Sequence, residues 1–232
     1  MISTLKVDDL RFEVRWSPRR KTLQLTVDRG GELLISAPEG CDPALLEDFV
    51  REKRFWLYTK LAEKEALRRP VSPKEFVSGE GFPYLGRSYR LLLVEDQDVP
   101  LRLERGRFRL LRGEAPRGRE HFVAWYSDRA RRWLAPRVEL LAARLGVAAR
   151  GLDVRDLGFR WGSCGHDGTV YFHWTTILLP ARIVEYVVVH ELAHLHKRHH
   201  TPEFWQRVER AMPDWEARRR WLAEHGMAFV AL

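Results

Sequence analysis

The stretch His190-Glu191-Leu192-Ala193-His194, followed by Lys197-Arg198-His199-His200-Thr201-Pro202, decides how this chain is read. Residues four apart lie on one face of a helix, so the imidazoles of His190 and His194 can reach one ion. Glu191 follows the first of them and can face a water at that ion. With 9 His in 232 residues, such a five-residue match is expected by chance only about 0.03 times. The turn before it, Tyr186-Val187-Val188-Val189, is apolar, as suits a ligand helix buried beside a cleft.

Two imidazoles leave a third ligand to be found. At about 100° per residue, His196 points away from His194 and His199 points away from His190. In an unbroken helix His200 would stand about 15 Å from His190 along the axis. The chain must therefore turn after His194. Thr201 can cap a new helix, Pro202 fits its first position and Glu203 suits its first turn. His200 then stands where the chain has changed direction and can fold back to the ion. The spacing of His190, His194 and His200 is that of the metzincin motif, with Lys197 where that motif has Gly. Glu209 and Glu216, on later helices, are the alternative third ligands. His196 and His199 are expected to face solvent or to touch substrate.

This set predicts one Zn2+ per chain, held by three imidazole nitrogens with a position left for water. Zinc lowers the pKa of its water, Glu191 takes the proton as general base, and an added donor would stabilise the developing oxyanion. Tyr171, His166, His173 and His199 are the candidates for that donor. Trp205 follows His200 by five residues and is expected to pack under the site, with substrate contact as the lesser alternative.

Working outward, the expected class is α+β, with an antiparallel strand-rich part at 1–115 and a helical metal-binding domain at 116–232. Leu10–Trp16, Thr22–Val27 and Leu33–Ala37 read as strands, with a turn at Gly30-Gly31. One helix is expected from Asp42-Pro43 to about Leu67, with Leu46, Phe49, Val50, Lys53, Leu57 and Leu61 on one stripe, ended by Arg68-Arg69-Pro70. Residues 71–113 return to strands, with a hairpin around Arg105-Gly106. The polar stretch Gly113–Gly118 is the expected boundary. A helix follows from Glu120, kinked or split at Pro136. A short strand covers Val170–Trp174, and further helices start at Pro180, Thr201-Pro202 and Asp214. Gly226 is a candidate helix stop. No internal repeat is visible.

Basic residues number 40 against 32 acidic, a formal net charge of +8. Apolar residues make up 45%, which excludes a disordered chain. No apolar stretch approaches the about 20 residues of a membrane span. Two cysteines, Cys41 and Cys164, do not make a disulfide framework, and a cytoplasmic location is expected. Cys164 reads as a buried structural thiol before it reads as a ligand or a nucleophile. Arg15, Arg19, Arg20 and Lys21 form one basic cluster, and Arg129, Arg131 and Arg132 another. Both are first of all solvated faces, and a weak nucleic-acid association is the alternative. Arg218, Arg219 and Arg220 are expected to face solvent around a buried Trp215 and Trp221.

Arg160-Trp161-Gly162-Ser163-Cys164, with the His190 segment and Phe204-Trp205 after it, resembles a known family. The chain looks like the YgjP-like metal-dependent hydrolases, related to the SprT-like and WLM zincins, from about Val14 to Leu222. The resemblance implies a zincin-like core, zinc ligands at His190, His194 and His200, and a catalytic carboxylate at Glu191. It places Arg160 to Cys164 at the cleft edge, so that Arg160, Trp161, Ser163 and Cys164 become substrate or cleft candidates beside Tyr171, His173, His199 and Trp205. Two positions depart from the usual pattern: Gly158, where members often carry Lys, and His173, where they often carry Asn. Members are described as metallopeptidases, and some as nucleoside triphosphate pyrophosphatases acting on UTP. Three functions are therefore expected in turn: a zinc peptidase, a UTP pyrophosphatase using Arg155 and Arg160 as phosphate binders, and a nucleic-acid-associated protein with a non-catalytic metal site. Read from the residues alone, Gly162-Ser163 favours a turn.

Overall fold

The computed structural model describes residues 2–28, 32–67, 73–158, 160–230 and 232. Its contacts divide the chain into two units, Met1–Arg69 and Pro70–Leu232. The turn at Gly30-Gly31 and the helix stop at Arg68-Arg69-Pro70 lie outside the described residues.

In the first unit, strands β1 (Ile2–Val7), β2 (Leu10–Ser17), β3 (Gln24–Val27) and β4 (Leu33–Pro38) form a sheet in the order β1-β2-β4-β3. Alternation decides its faces: Leu10, Phe12 and Val14 of β2 are buried, and Arg11 and Arg15 on the other face are exposed. Helices α1 (Pro43–Glu52) and α2 (Arg54–Leu67) follow. Asp42 caps α1, its carboxylate accepting the Ala44 N–H at 2.9 Å. The single expected helix is broken at Lys53 (φ −91°, ψ 8°). The break lets Leu46 and Val50 of α1 and Leu57 of α2 all enter one core with Phe12 and Ile35.

The second unit opens with the same connectivity. Strands β5 (Gly81–Tyr84), β6 (Arg87–Val94), β7 (Leu101–Glu104) and β8 (Arg107–Leu111) are ordered β5-β6-β8-β7. Neither sheet is purely antiparallel, contrary to expectation, because β2 pairs parallel with β4 and β6 pairs parallel with β8. Each sheet consists of two antiparallel strand pairs laid side by side through their second strands, which run the same way. Turn residues encode the local pairing, whereas the central one is non-local.

Helix α3 (Gly118–Leu145) runs unbroken through Pro136 and buries Phe122, Tyr126, Ala130, Leu134 and Val138. Its aromatic face packs on the sheet before it. Phe82 and Phe122 stack at 4.0 Å, and the Tyr126 hydroxyl donates to the Pro83 carbonyl at 2.8 Å. The chain therefore does not divide at Gly113–Gly118, since residues on both sides of that stretch share one core.

Strands β9 (Gly151–Arg155), β10 (Gly162–Cys164) and β11 (Thr169–His173) make a third sheet, ordered β10-β11-β9. A 3-10 turn at Trp174–Leu178 leads to α4 (Ala181–Ala193), α5 (Pro202–Ala211) and α6 (Trp215–His225). The tip of the β5–β6 hairpin docks on this 3-10 turn through bonds from the Leu85 and Gly86 N–H groups to the Ile177 and Leu178 carbonyls. Helix α4 is buried almost all round, including Ile183, Val184, Val187, Val188 and Leu192. Gly226 does not stop α6 in a left-handed conformation. It is right-handed (φ −58°) and opens a final 3-10 turn. Among the described residues no helix is long and apolar enough to cross a membrane.

Candidate metal centre

Helix α4 carries His190 in its last turn, and His194 caps its C-terminus. The end tightens there: Leu195 and His196 N–H groups bond to the Leu192 and Ala193 carbonyls, three residues back. The Thr201 N–H then closes on the His199 carbonyl at 2.8 Å, and α5 begins at Pro202. Thr201 occupies the cap position, but its hydroxyl makes no cap bond. His200 is thereby returned to the helix it left. Its Nε2 lies 3.0 Å from the Nε2 of His190, and one nitrogen from each of His190, His194 and His200 falls within 4.8 Å of the others. Neither Glu209 nor Glu216 joins this group.

The donor set fits a divalent transition ion. Two ligands at zinc's 2.0–2.1 Å in tetrahedral geometry stand about 3.3 Å apart, against 3.0 Å between His190 and His200 and at most 4.8 Å across the group. His194 Nδ1 donates to the Lys197 carbonyl at 3.1 Å, which leaves its Nε2 lone pair free to face the group. Burial and the neighbouring imidazoles push His190 down to about 3, and burial lowers His194 and His200 as well. All three are therefore neutral at pH 7, the form that ligates.

Glu191 is 7% exposed. Burial pushes its carboxyl up to about 8, opposed by the charge of Arg160. Gly162, read from sequence as part of a turn, is instead in strand β10, and the Glu191 side chain occupies the space where a side chain at 162 would sit. Strand β10 is an edge of its sheet. Trp161 pairs with His173, and Gly165 with Thr169, through main-chain bonds. In an antiparallel ladder the alternation then turns the main-chain groups of Gly162 and Cys164 toward the open edge.

The other expected residues are distributed around this centre. The Trp161 carbonyl accepts from the His173 N–H and from the Thr176 hydroxyl, so Trp161 ties β10 to the 3-10 turn. Ser163 is paired with Tyr171, whose ring lies 3.9 Å from the Arg155 guanidinium. Cys164 is a half-buried free thiol, pushed up by burial and by the charge of Glu191, and such a thiol is a poor nucleophile. His173 is buried, bonded through Nδ1 to the Thr175 hydroxyl and through Nε2 to Asp156. His166 and His199 are exposed. Trp205 stacks on the His200 ring at 5.4 Å.

Sequence reasoning missed several neighbours of the site. The Phe204 ring lies 4.7–5.1 Å from all three imidazoles. Its burial follows from the apolar stripe of α5, a signal open to reading. Arg219 covers Trp205 rather than facing solvent alone, and Arg218 is mostly buried, paired with Asp214 and Glu185. In the basic clusters, Arg15 pairs with Glu13, Arg132 pairs with Asp128 and Arg131 donates to the Val154 carbonyl.

Among solved structures the chain is similar to the metallopeptidase zymogen of Pyrococcus abyssi abylysin, at 22% identity and a TM-score of 0.36. That match covers 39% of this chain and 93% of the other, and it is too slight to carry an argument. No curated protein matches the sequence. A family profile described as YgjP-like, metallopeptidase domain, matches residues 21–225. A match over most of the sequence makes this chain a member of the YgjP-like metallopeptidase family.

Proposed function

We propose that this chain is a zinc-dependent peptidase with a zincin-like core, whose metal is held by His190, His194 and His200 and whose general base is Glu191. The observation that carries this reading is the meeting of three neutral imidazoles, the first of which is followed in α4 by a buried carboxylate. Bound there, zinc would activate a water molecule and polarise the scissile carbonyl. Glu191 accepts the proton of the attacking water on its carboxylate and returns it to the leaving amine. A cation at the imidazoles draws the carboxyl down from its raised value, so that it works as a base near neutral pH.

The substrate lies as an extended peptide along β10. Its main chain bonds to the edge-facing groups of Gly162 and Cys164. Strand β11, between β10 and β9, is the central strand of its sheet and has no free edge to offer. The open edge favours a peptide over a nucleoside triphosphate. The charge of Arg160 acts on Glu191.

The test is a substrate panel of unstructured protein, peptides and the four nucleoside triphosphates, with metal content measured on the same sample. Peptide cleavage dependent on about one zinc per chain supports the proposal. Turnover of UTP without peptide cleavage rejects it.

A further inference from the structure

A metal-ligating histidine is ordinarily oriented by a hydrogen bond from its second ring nitrogen. Here His194 has that bond, to the Lys197 carbonyl. His190 Nδ1 is buried, and among the described residues it has no hydrogen-bond partner. His200 stands on an exposed loop, and its ring bond among the described residues is through Nε2 toward His190.

Aromatic rings pack against all three imidazoles. Phe204 presents its ring to His190, His194 and His200 at 5.1, 4.7 and 4.8 Å. Trp205 lies nearly parallel to His200, at 5.4 Å and 19°. Trp205 is in turn stacked on Trp215 at 4.4 Å and 18°. The Arg219 guanidinium carbon sits 4.9 Å from the Trp205 ring centre and 6.0 Å from that of Trp215. Trp215 and Arg219 are four apart on α6, so one face of that helix holds the indole.

We infer that Arg219, with Trp215 beside it, is a positioning residue that sets the ring plane of His200 by clamping Trp205. This rests on the reading of His200 as a metal ligand. A loop imidazole free to rotate loses that freedom when it ligates, and the affinity falls accordingly. The stack removes the freedom beforehand. Arg219 is exposed, and its charge also acts directly on His190 and His200, where it disfavours a bound cation, whereas its hold on the His200 ring plane runs through Trp205.

The experiment measures Zn2+ affinity of the full chain by chelator competition and the visible spectrum of the Co2+ form. The variants are Arg219→Ala, Arg219→Lys, Trp205→Leu and the double variant Trp205→Leu/Arg219→Ala. Trp205→Leu is expected to weaken Zn2+ binding about 10–100-fold. Arg219→Ala weakens it about three- to tenfold, and Arg219→Lys, which keeps the cation, restores most of it. The thermal midpoint of metal-free Arg219→Ala stays near that of the parent, a result that separates positioning from general stabilisation. In the Trp205→Leu background, Arg219→Ala weakens binding no further, because the ring it clamps is gone and only a charge that repels the metal is removed.

Parental affinity in Arg219→Ala and Trp205→Leu, or losses that simply add, would overturn the inference. If Trp205→Leu does not fold, the Arg219 pair decides alone: a loss in Ala with recovery in Lys supports it, and parental affinity in both overturns it. A parent chain that binds no metal sinks the peptidase reading and this inference together, whereas a parent that binds beside unaffected variants sinks this inference only.

Discussion

An added Cβ at Gly162 would lie 2.6 Å from Cγ and 2.9 Å from Oε1 of Glu191, so the edge strand and the carboxylate compete for one space. Glu191 is buried and has no solvent to swing into. Gly162→Ala is therefore expected to displace the carboxylate while leaving the imidazoles in place. Hydrolysis should fall about 100-fold, in line with loss of a positioned general base, with zinc content unchanged. Overpacking should cost about 1–3 kcal/mol of stability. Activity and metal content of the same preparation check this, and an alanine variant of parental rate would show that strand and carboxylate do not constrain each other.

Glu191→Gln separates ligation from catalysis. The variant should keep its zinc and lose hydrolysis by about 10²- to 10⁴-fold. Its metal-free stability carries a second signature. The folded carboxyl, at about 8, lies above its ordinary 4.5. Stability is then complete below the unfolded value and is lost as pH rises through the folded one. Gln imitates the protonated form at every pH. Urea midpoints of the metal-free pair should coincide near pH 4.5 and separate in favour of Gln toward pH 8.

The histidines predict the opposite slope. His190 is held down at about 3, and His194 and His200 also lie below their ordinary 6.5. Between those values the unfolded chain binds more protons, so metal-free stability is full above about 6.5 and falls with acidification. The urea midpoint should be lower at pH 5 than at pH 7, and His190→Gln should flatten the change. Zinc should raise the midpoint, by about 2.7 kcal/mol at a free concentration 100-fold above the dissociation constant. Chelation should reverse that gain.

Phe122 tests where the second unit begins. Its ring stacks on Phe82 at 4.0 Å and meets Phe108 at 4.9 Å, joining α3 to β5 and β8. Phe122→Ala should cost about 3–5 kcal/mol through the cavity it leaves. Residues 73–230 should melt together, read as loss of protection at β6 and α4 in one hydrogen-exchange transition. Separate transitions for the sheet and the helices would restore a boundary at Gly113–Gly118.

The residues that could gather around an ion were legible from their order along the chain. His190 and His194 share a helix face because of the helical period, and Thr201-Pro202 mark a restart that implies a turn before them. The β3–β4 and β7–β8 pairs and the helix start at Asp42 were equally open to reading, since turns and caps are made by neighbours in sequence. The boundary was misread because a polar, Pro-containing stretch signals a surface loop and is silent about which cores flank it. Phe82 and Phe122 meet across forty residues, and composition does not record the meeting.

Sequence order by itself determined the helix carrying two imidazoles and a carboxylate, the turn after it, and the β3–β4 and β7–β8 pairs, because all are settled by torsions and contacts within a few residues. Only the tertiary structure decided which strand keeps a free edge, why position 162 is glycine, and which face of α6 grips Trp205. These depend on packing between segments far apart in the chain, where shape and not pattern selects the partner.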